Sequence, residues 1–284
     1  RQLAAISKLL AQSSSRALAP VVVTLEHAID EGSKEKYTNM LTEPMAQPTD
    51  LCYAIFTSGS TGHPKCVLCE HESALAYALS KAQAEGVSPG SRVLLASHFT
   101  FDVAQGDTFG ALAVGATLVA GPRAQVLGDL HGTLSLGEVN HVTMTPTQWG
   151  LNARSDALPF LRSLTLNGEF MREGTAEVWA EAVALRNMYG VTEATGLQTC
   201  HLVVVGDSPR LAGTALPGFA LGFARGGLAS GSERDENTND WQADDGGDEV
   251  FVAGRGLARG YLGLSEATQL RFRPWAAAPG GRVY

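Results

Sequence analysis

Residues 53–66 read Tyr53-Ala-Ile-Phe-Thr-Ser-Gly-Ser-Thr-Gly-His-Pro-Lys-Cys66. Tyr53 to Phe56 is a short apolar, strand-like run. It stops in Thr57, Ser58, Gly59, Ser60, Thr61 and Gly62, and the cation Lys65 follows. Glycines let the backbone turn tightly and bring its N–H groups close to an anion. The hydroxyls add donors and Lys65 adds charge, so the stretch reads as a loop that holds phosphate oxygens. It is not the pattern G-x-x-x-x-G-K-[ST], because Lys65 follows Pro64. The alternative is a flexible Ser/Gly linker. Linkers seldom sit directly behind a buried strand and end in Pro-Lys.

Outward from this loop, strand and helix signals alternate. Upstream, residues 1–31 read as a helix and the apolar Val21-Val-Val-Thr-Leu25 as a parallel strand; residues 32–50 connect. Downstream, Glu70 to Glu85 is helical, with Leu75, Leu79 and Ala82 at helical spacing. Strands follow at Arg92–Ala96, Ala116–Ala120, His141–Thr145, Leu161–Leu166 and Leu185–Met188. Helices are expected at Phe109–Ala113, Leu127–Leu136 and residues 173–184. This is an α/β pattern: an open, mostly parallel sheet with ligands at the carboxyl ends of its strands. After about residue 200 Gly and Pro become dense, residues 226–249 carry no periodic apolar face, and Glu249–Ala253 is one more strand. The expected division is a partial α/β core over residues 1–200 and a β-rich subdomain of the same core over 201–284.

Composition narrows the function classes. The chain has 284 residues, 44% hydrophobic and 18% charged, with a formal net charge of −8. An acidic chain without basic clusters is a poor partner for nucleic acid or an anionic membrane. No apolar run reaches the ~18–20 residues that span a bilayer. The start, Arg1-Gln-Leu-Ala-Ala-Ile-Ser-Lys8, has no signal-peptide pattern and no Met, and it reads as a piece of a longer, cytoplasmic chain. Cys66-Val-Leu-Cys69 is formally C-x-x-C, a redox pair or half a zinc site; without a second pair, structural or incidental thiols fit a reducing cytosol better.

Thr57-Ser-Gly-Ser-Thr-Gly-His-Pro-Lys65 resembles the signature loop of the adenylate-forming superfamily, which includes peptide-synthetase adenylation domains, acyl- and aryl-CoA ligases and luciferases. Leu51-Cys-Tyr-Ala-Ile-Phe56 is most similar to the peptide-synthetase version, and further motifs arrive in the family's order. The resemblance implies the large N-terminal core of such an enzyme, with alternating strand–helix sheets and a small β-barrel-like subdomain. It also implies roles. Thr57, Ser58, Gly59, Ser60, Thr61, Gly62 and Lys65 would hold ATP phosphates. Thr165-Leu-Asn-Gly-Glu169 resembles the family's Gly-Gly-Glu element, placing Gly168 and Glu169 along the nucleotide. Asn187-Met-Tyr-Gly-Val-Thr-Glu193 resembles Asn-x-Tyr-Gly-x-Thr-Glu. Tyr189 would stack on adenine, Asn187 would bond its amino edge, Gly190 would turn beside it and Thr192 would bond the α-phosphate. Glu193 would ligate Mg²⁺, for which one carboxylate plus phosphate oxygens is usual. Thr57, Lys65 and Glu193 are the expected catalytic set. The alternative for this last motif is a strand-to-helix turn with a capping Thr.

Ser97-His-Phe-Thr-Phe-Asp102 follows the strand expected at Arg92–Ala96. In peptide synthetases an Asp at this spot pairs with the substrate's α-ammonium group, a charge-assisted contact. Asp102 matches, which favours an α-amino acid over a fatty or aryl acid; the alternative is that Asp102 caps the following helix. By position, Val103, Gly106, Thr143, Thr165, Asn167, Met188, Gly196 and Leu197 would line the side-chain pocket. Two glycines leave room and two threonines with an asparagine supply polarity, which suits a long polar side chain. A further likeness to fungal siderophore synthetases implies an N5-acyl-N5-hydroxyornithine. In relatives Arg/Lys-Thr-Gly-Asp and a C-terminal lid domain with a catalytic lysine follow the point where this chain stops, so the 284 residues alone are expected to be very slow. The implied partners are a carrier protein with a phosphopantetheine arm and condensation domains in cis. A CoA ligase and a degenerate scaffold are the alternatives.

Overall fold

The computed structural model describes residues 46–58, 62–152, 158–224, 249–275, 278 and 281–284. The expected elements before residue 46, the loop residues Gly59 to Thr61 and the stretch 226–248 lie outside the described residues. Strand β1 (Leu51–Thr57) pairs antiparallel with β2 (Lys65–Glu70), and helix α1 (His71–Glu85) follows at once. Next come β3 (Arg92–Leu94), α2 (Asp102–Ala113) and β4 (Thr117–Val119). Two short helices, α3 (Arg123–Gly128) and α4 (Leu130–Leu136), lead to β5 (His141–Met144), α5 (Pro146–Asn152) and β6 (Ser163–Asn167). Helix α6 (Thr175–Trp179), β7 (Ala184–Tyr189), β8 (Thr199–Leu202) and β9 (Thr214–Ala215) complete the large sheet.

That sheet has seven strands in the order β4-β3-β5-β6-β7-β8-β9. The first five are mutually parallel, β8 runs antiparallel to β7, and β9 antiparallel to β8. Parallel strands lie buried on both faces, and every residue of β5 and β6 is buried. One face is apolar. Val142, Met144, Leu164 and Leu166 pack with Leu94, Leu185, Trp149 and Trp179. The other face carries Thr143 and Thr165, side by side in register. Because these strands are parallel, the segments after β3, β5, β6 and β7 all emerge at one edge of the sheet.

The loop the sequence centres on lies elsewhere. The sequence reading put one buried strand before it; the structure makes it the tip of a hairpin, with Thr57 opposite Lys65. This hairpin belongs to a separate three-stranded sheet completed by Gly260–Tyr261. Only Ile55 of β1 is buried, and Phe56 is half exposed. The strand β2 escaped notice because its buried residues include Cys66 and Cys69, read as incidental thiols. In a strand, positions i and i+3 point to opposite faces, so the pair is no redox motif. Burial pushes the Cys69 thiol up to about 12, which leaves it unreactive. A four-stranded sheet, Phe219–Ala224, Glu249–Gly254, Arg282–Val283 and Arg273–Pro274, packs alongside.

Three helical segments differ from the sequence reading. Helix α2 begins at Asp102, seven residues before the expected Phe109. Gly106 and Gly110 disfavour a helix by propensity, but they let α2 approach α1: a Cβ on Gly110 would lie 2.9 Å from the Ala78 carbonyl oxygen. The single helix expected over 127–136 breaks at Asp129, whose side chain accepts from the Gly132 amide at 2.9 Å and caps α4. Helix α5 was not foreseen; it carries the fully buried Trp149.

Helix α1 shows the largest difference. Of Leu75, Leu79 and Ala82, read as its core stripe, Ala82 is buried, but Leu75 and Leu79 are 50% and 42% exposed. The buried face is instead Ala74, Tyr77, Ala78, Lys81, Ala82 and Glu85. That set follows the helical period as well, but two of its members are charged.

Candidate functional site

Three sequence elements converge at the edge where the parallel strands end. Asp102 opens α2 and is 8% exposed. Its Oδ1 accepts from the Val103 amide at 2.9 Å. Burial raises its carboxyl above the usual range; the Thr192 hydroxyl opposes this, and the nearby Glu193 charge adds to it. Thr192 and Glu193 lie on the tight turn Thr192–Ala194 just after β7. Glu193 is 9% exposed, and its Oε1 accepts from the Tyr261 hydroxyl at 2.8 Å. Its backbone oxygen accepts from the Ala258 amide at 2.9 Å, which ties the turn to the segment before Tyr261. The Lys65 ammonium sits 5.1 Å from the centroid of the same Tyr261 ring, a cation–π distance. Thr57 Oγ1 donates to the Lys65 carbonyl at 3.5 Å across the mouth of the hairpin.

The chain of contacts Lys65–Tyr261–Glu193 and the neighbours Thr192 and Asp102 therefore surround one region. Tyr261 is the link that sequence reasoning passed over. It lies 68 residues beyond Glu193, and no spacing pointed to it.

The remaining expected residues fall in different settings. Ser58 and Gly62 flank the hairpin tip, with Gly62 at φ +82°. Tyr189 ends β7 and is 47% exposed. Asn187 is buried, and its Nδ2 donates to the Leu211 carbonyl at 2.8 Å, so it anchors the 209–211 loop. Gly168 is at φ +78°, where a side chain is strained. Glu169 accepts from the Thr147 amide at 3.1 Å and so caps α5. Bonds from Thr147 hold its carboxyl below the usual range.

Gly190 is needed for packing. A Cβ there would overlap the Gly196 carbonyl and the Leu197 Cα. Gly190→Ala is expected to cost about 1–3 kcal/mol, read as a lowered urea midpoint, and to shift the Thr192–Ala194 turn.

The side-chain pocket differs from the sequence reading. Gly106 and Gly196 were expected to leave room, but the Tyr77 ring lies between them. A Cβ on Gly106 would stand 2.6 Å from Tyr77 Cε1, and one on Gly196 would overlap the same ring. Thr143 was expected to add polarity to the lining. Its hydroxyl donates instead to Glu85 Oε1 at 3.0 Å and accepts from Lys81 Nζ at 3.0 Å. Lys81 also bonds Asp107 Oδ1 at 2.6 Å and Glu85 Oε2 at 2.7 Å. Val103, Met188 and Leu197 pack with Tyr77 in one apolar cluster. Asn167, at the end of β6, is 6% exposed.

Among the described residues no cluster of three or more His, Cys, Asp or Glu could hold a metal. A dication at Glu193 would have to share that one carboxylate with phosphate oxygens, a donor set that suits magnesium. No helix of the described residues is long and apolar enough to cross a membrane.

The model of the family described as AMP-binding enzyme matches residues 2–262. A nonribosomal peptide synthetase, fmqA of Aspergillus fumigatus, is 32% identical over 200 residues, which cover 69% of this chain and 5% of that protein. Another, atnA of Emericella nidulans, is 30% identical over 269 residues, 93% of this chain and 4% of the relative. The chain thus spans a small part of the length of these relatives. Among solved structures, the N-terminal subdomain of NpsA from Klebsiella oxytoca in complex with anthranilyl-AMSN superposes with a TM-score of 0.76 at 21% identity, over 100% of this chain and 71% of that one. That likeness carries the fold.

Proposed function

This chain belongs to the AMP-binding enzyme family, and on that premise we propose that it is the amino-acid adenylation domain of a nonribosomal peptide synthetase. The substrate's carboxylate oxygen attacks the α-phosphorus of ATP, the bond to the β-phosphate oxygen breaks, and pyrophosphate leaves. The carrier domain's phosphopantetheine thiol then attacks the acyl carbon and AMP leaves. Condensation domains of the same polypeptide would use the thioester.

Two anions must meet, so catalysis is mainly positioning and charge neutralisation. Thr57 and the loop from Ser58 to Gly62 hold the leaving phosphates with Lys65. Gly168, Glu169, Asn187, Tyr189 and Gly190 border the nucleoside, and Thr192 meets the α-phosphate. Magnesium, held by Glu193 and phosphate oxygens, would offset charge on the phosphates. The observation that carries the reading is Asp102: a carboxylate 8% exposed, beside Thr192 and Glu193, suited to grip an ammonium group.

Asp102→Asn keeps the shape and removes the charge. A charge-assisted bond contributes about 1.5–3 kcal/mol, so amino-acid-dependent ATP–pyrophosphate exchange is expected to fall ~10–100-fold at low amino acid, with ATP binding unchanged. Equal exchange in the variant, or turnover that requires coenzyme A, would refute the assignment. A narrower reading, an N5-acyl-N5-hydroxyornithine for a hydroxamate siderophore, requires the Tyr77 ring to leave its place between Gly106 and Gly196.

A further inference from the structure

We propose that Tyr77 is the floor of the amino-acid pocket and restricts the substrate to a small side chain; this rests on the adenylation reading above. Asp102 and Gly106 lie one helical turn apart on α2, so they share a face. An amino acid whose ammonium group sits on Asp102 sends its side chain past Gly106 and Gly196. The Tyr77 ring already stands there, 1% exposed, close enough to both glycines that neither could carry even a methyl group.

The surroundings keep the ring in place and set the chemistry of what lies above it. Val103, Met188, Ala194 and Leu197 pack with Tyr77. One turn along α1, Lys81 binds Asp107, Glu85 and Thr143 at 2.6–3.0 Å. This cluster engages the Thr143 hydroxyl, and the Tyr77 ring lies near both the cluster and Asp102. A long polar side chain would have to displace a packed ring to reach it. A side chain the size of alanine's fits above the ring against Val103, Met188 and Leu197, beside the buried, unpartnered Tyr77 hydroxyl.

The test uses the full chain and a panel of aminoacyl sulfamoyl-adenosines, stable mimics of the adenylate, titrated calorimetrically. The alanyl compound is expected to bind at least tenfold tighter than the leucyl, phenylalanyl and ornithyl compounds. Tyr77→Ala should reverse the order, gaining at least tenfold for leucyl or phenylalanyl. Tyr77→Phe keeps the ring and should keep the wild-type order, and Tyr77→Leu serves if the alanine variant folds poorly. Binding that ignores side-chain size in the wild type, or an order unchanged by Tyr77→Ala and Tyr77→Leu, overturns the assignment of Tyr77 and leaves the adenylation reading standing. Failure of every aminoacyl compound and of ATP to bind overturns both.

Discussion

Replacing Lys81 by methionine is expected to destabilise the chain by about 3–5 kcal/mol at neutral pH, because it strands buried carboxylates without their cation. Lys81 is 1% exposed, Asp107 2% and Glu85 5%. Burial alone would lower the lysine's pKa; the Asp107 and Glu85 carboxylates outweigh it and raise it. One ammonium thus faces two carboxylates, a buried excess of one negative charge. Removing all three groups together, as Lys81→Met with Glu85→Leu and Asp107→Leu, should cost far less than Lys81→Met alone, since no charge is then left unpaired. Urea midpoints of the single and triple variants check this. A triple variant as unstable as the single one would show that packing of the α1 face matters and charge does not.

The excess charge also fixes a pH dependence. Burial pushes the Asp107 carboxyl from its ordinary 3.8 to about 6, with Lys81 opposing the shift and Glu85 adding to it. The folded chain therefore binds this proton more tightly than the unfolded one, and the contribution falls as pH rises from about 4 to about 6. Glu85 has the opposite sign: burial would raise it, but Lys81 holds its carboxyl below 4.5, so its contribution is lost in more acid solution. Asp107→Asn should flatten the stability profile between about pH 4 and pH 6 and leave the acid limb in place. In Lys81→Met both carboxyls lack the cation, so stability should recover on acidification.

Much of the fold was readable because parallel strands are short apolar runs and the chain presents them in order. β5, β6 and β7 appear within one or two residues of their expected ends. What escaped reading was any buried face built from non-apolar residues. The α1 stripe was placed on Leu75, Leu79 and Ala82 by spacing of apolar residues, which passes over Lys81 and Glu85; only the fold shows that these two pair. Glycine was ambiguous in the same way. Gly106 and Gly196 read as empty space, whereas each is small because Tyr77 fills that space. The motif residues Asp102, Thr192 and Glu193 were legible from the order of the segments that carry them. Tyr261 was not, since a hydroxyl joining two distant segments leaves no periodic trace.

Glu193→Gln is expected to lower adenylation ~10²–10³-fold, the loss typical when one preorganised electrostatic group is removed from the site of developing charge. The amide keeps the size of the side chain and can still accept the Tyr261 hydroxyl now bonded at 2.8 Å, so the fold should tolerate it. What it loses is the charge that lets a single side chain share a dication with phosphate oxygens. The deficit should therefore depend on magnesium: the variant's pyrophosphate exchange should need a higher Mg²⁺ concentration for half-maximal rate. Tyr261→Phe leaves the carboxylate charged but removes its hydrogen-bond donor and keeps the ring beneath Lys65. Its effect should be smaller, about tenfold, as for residues that orient a ligand without touching the metal. An unchanged magnesium midpoint in Glu193→Gln would assign this carboxylate to holding the turn against residues 258–261 and nothing more.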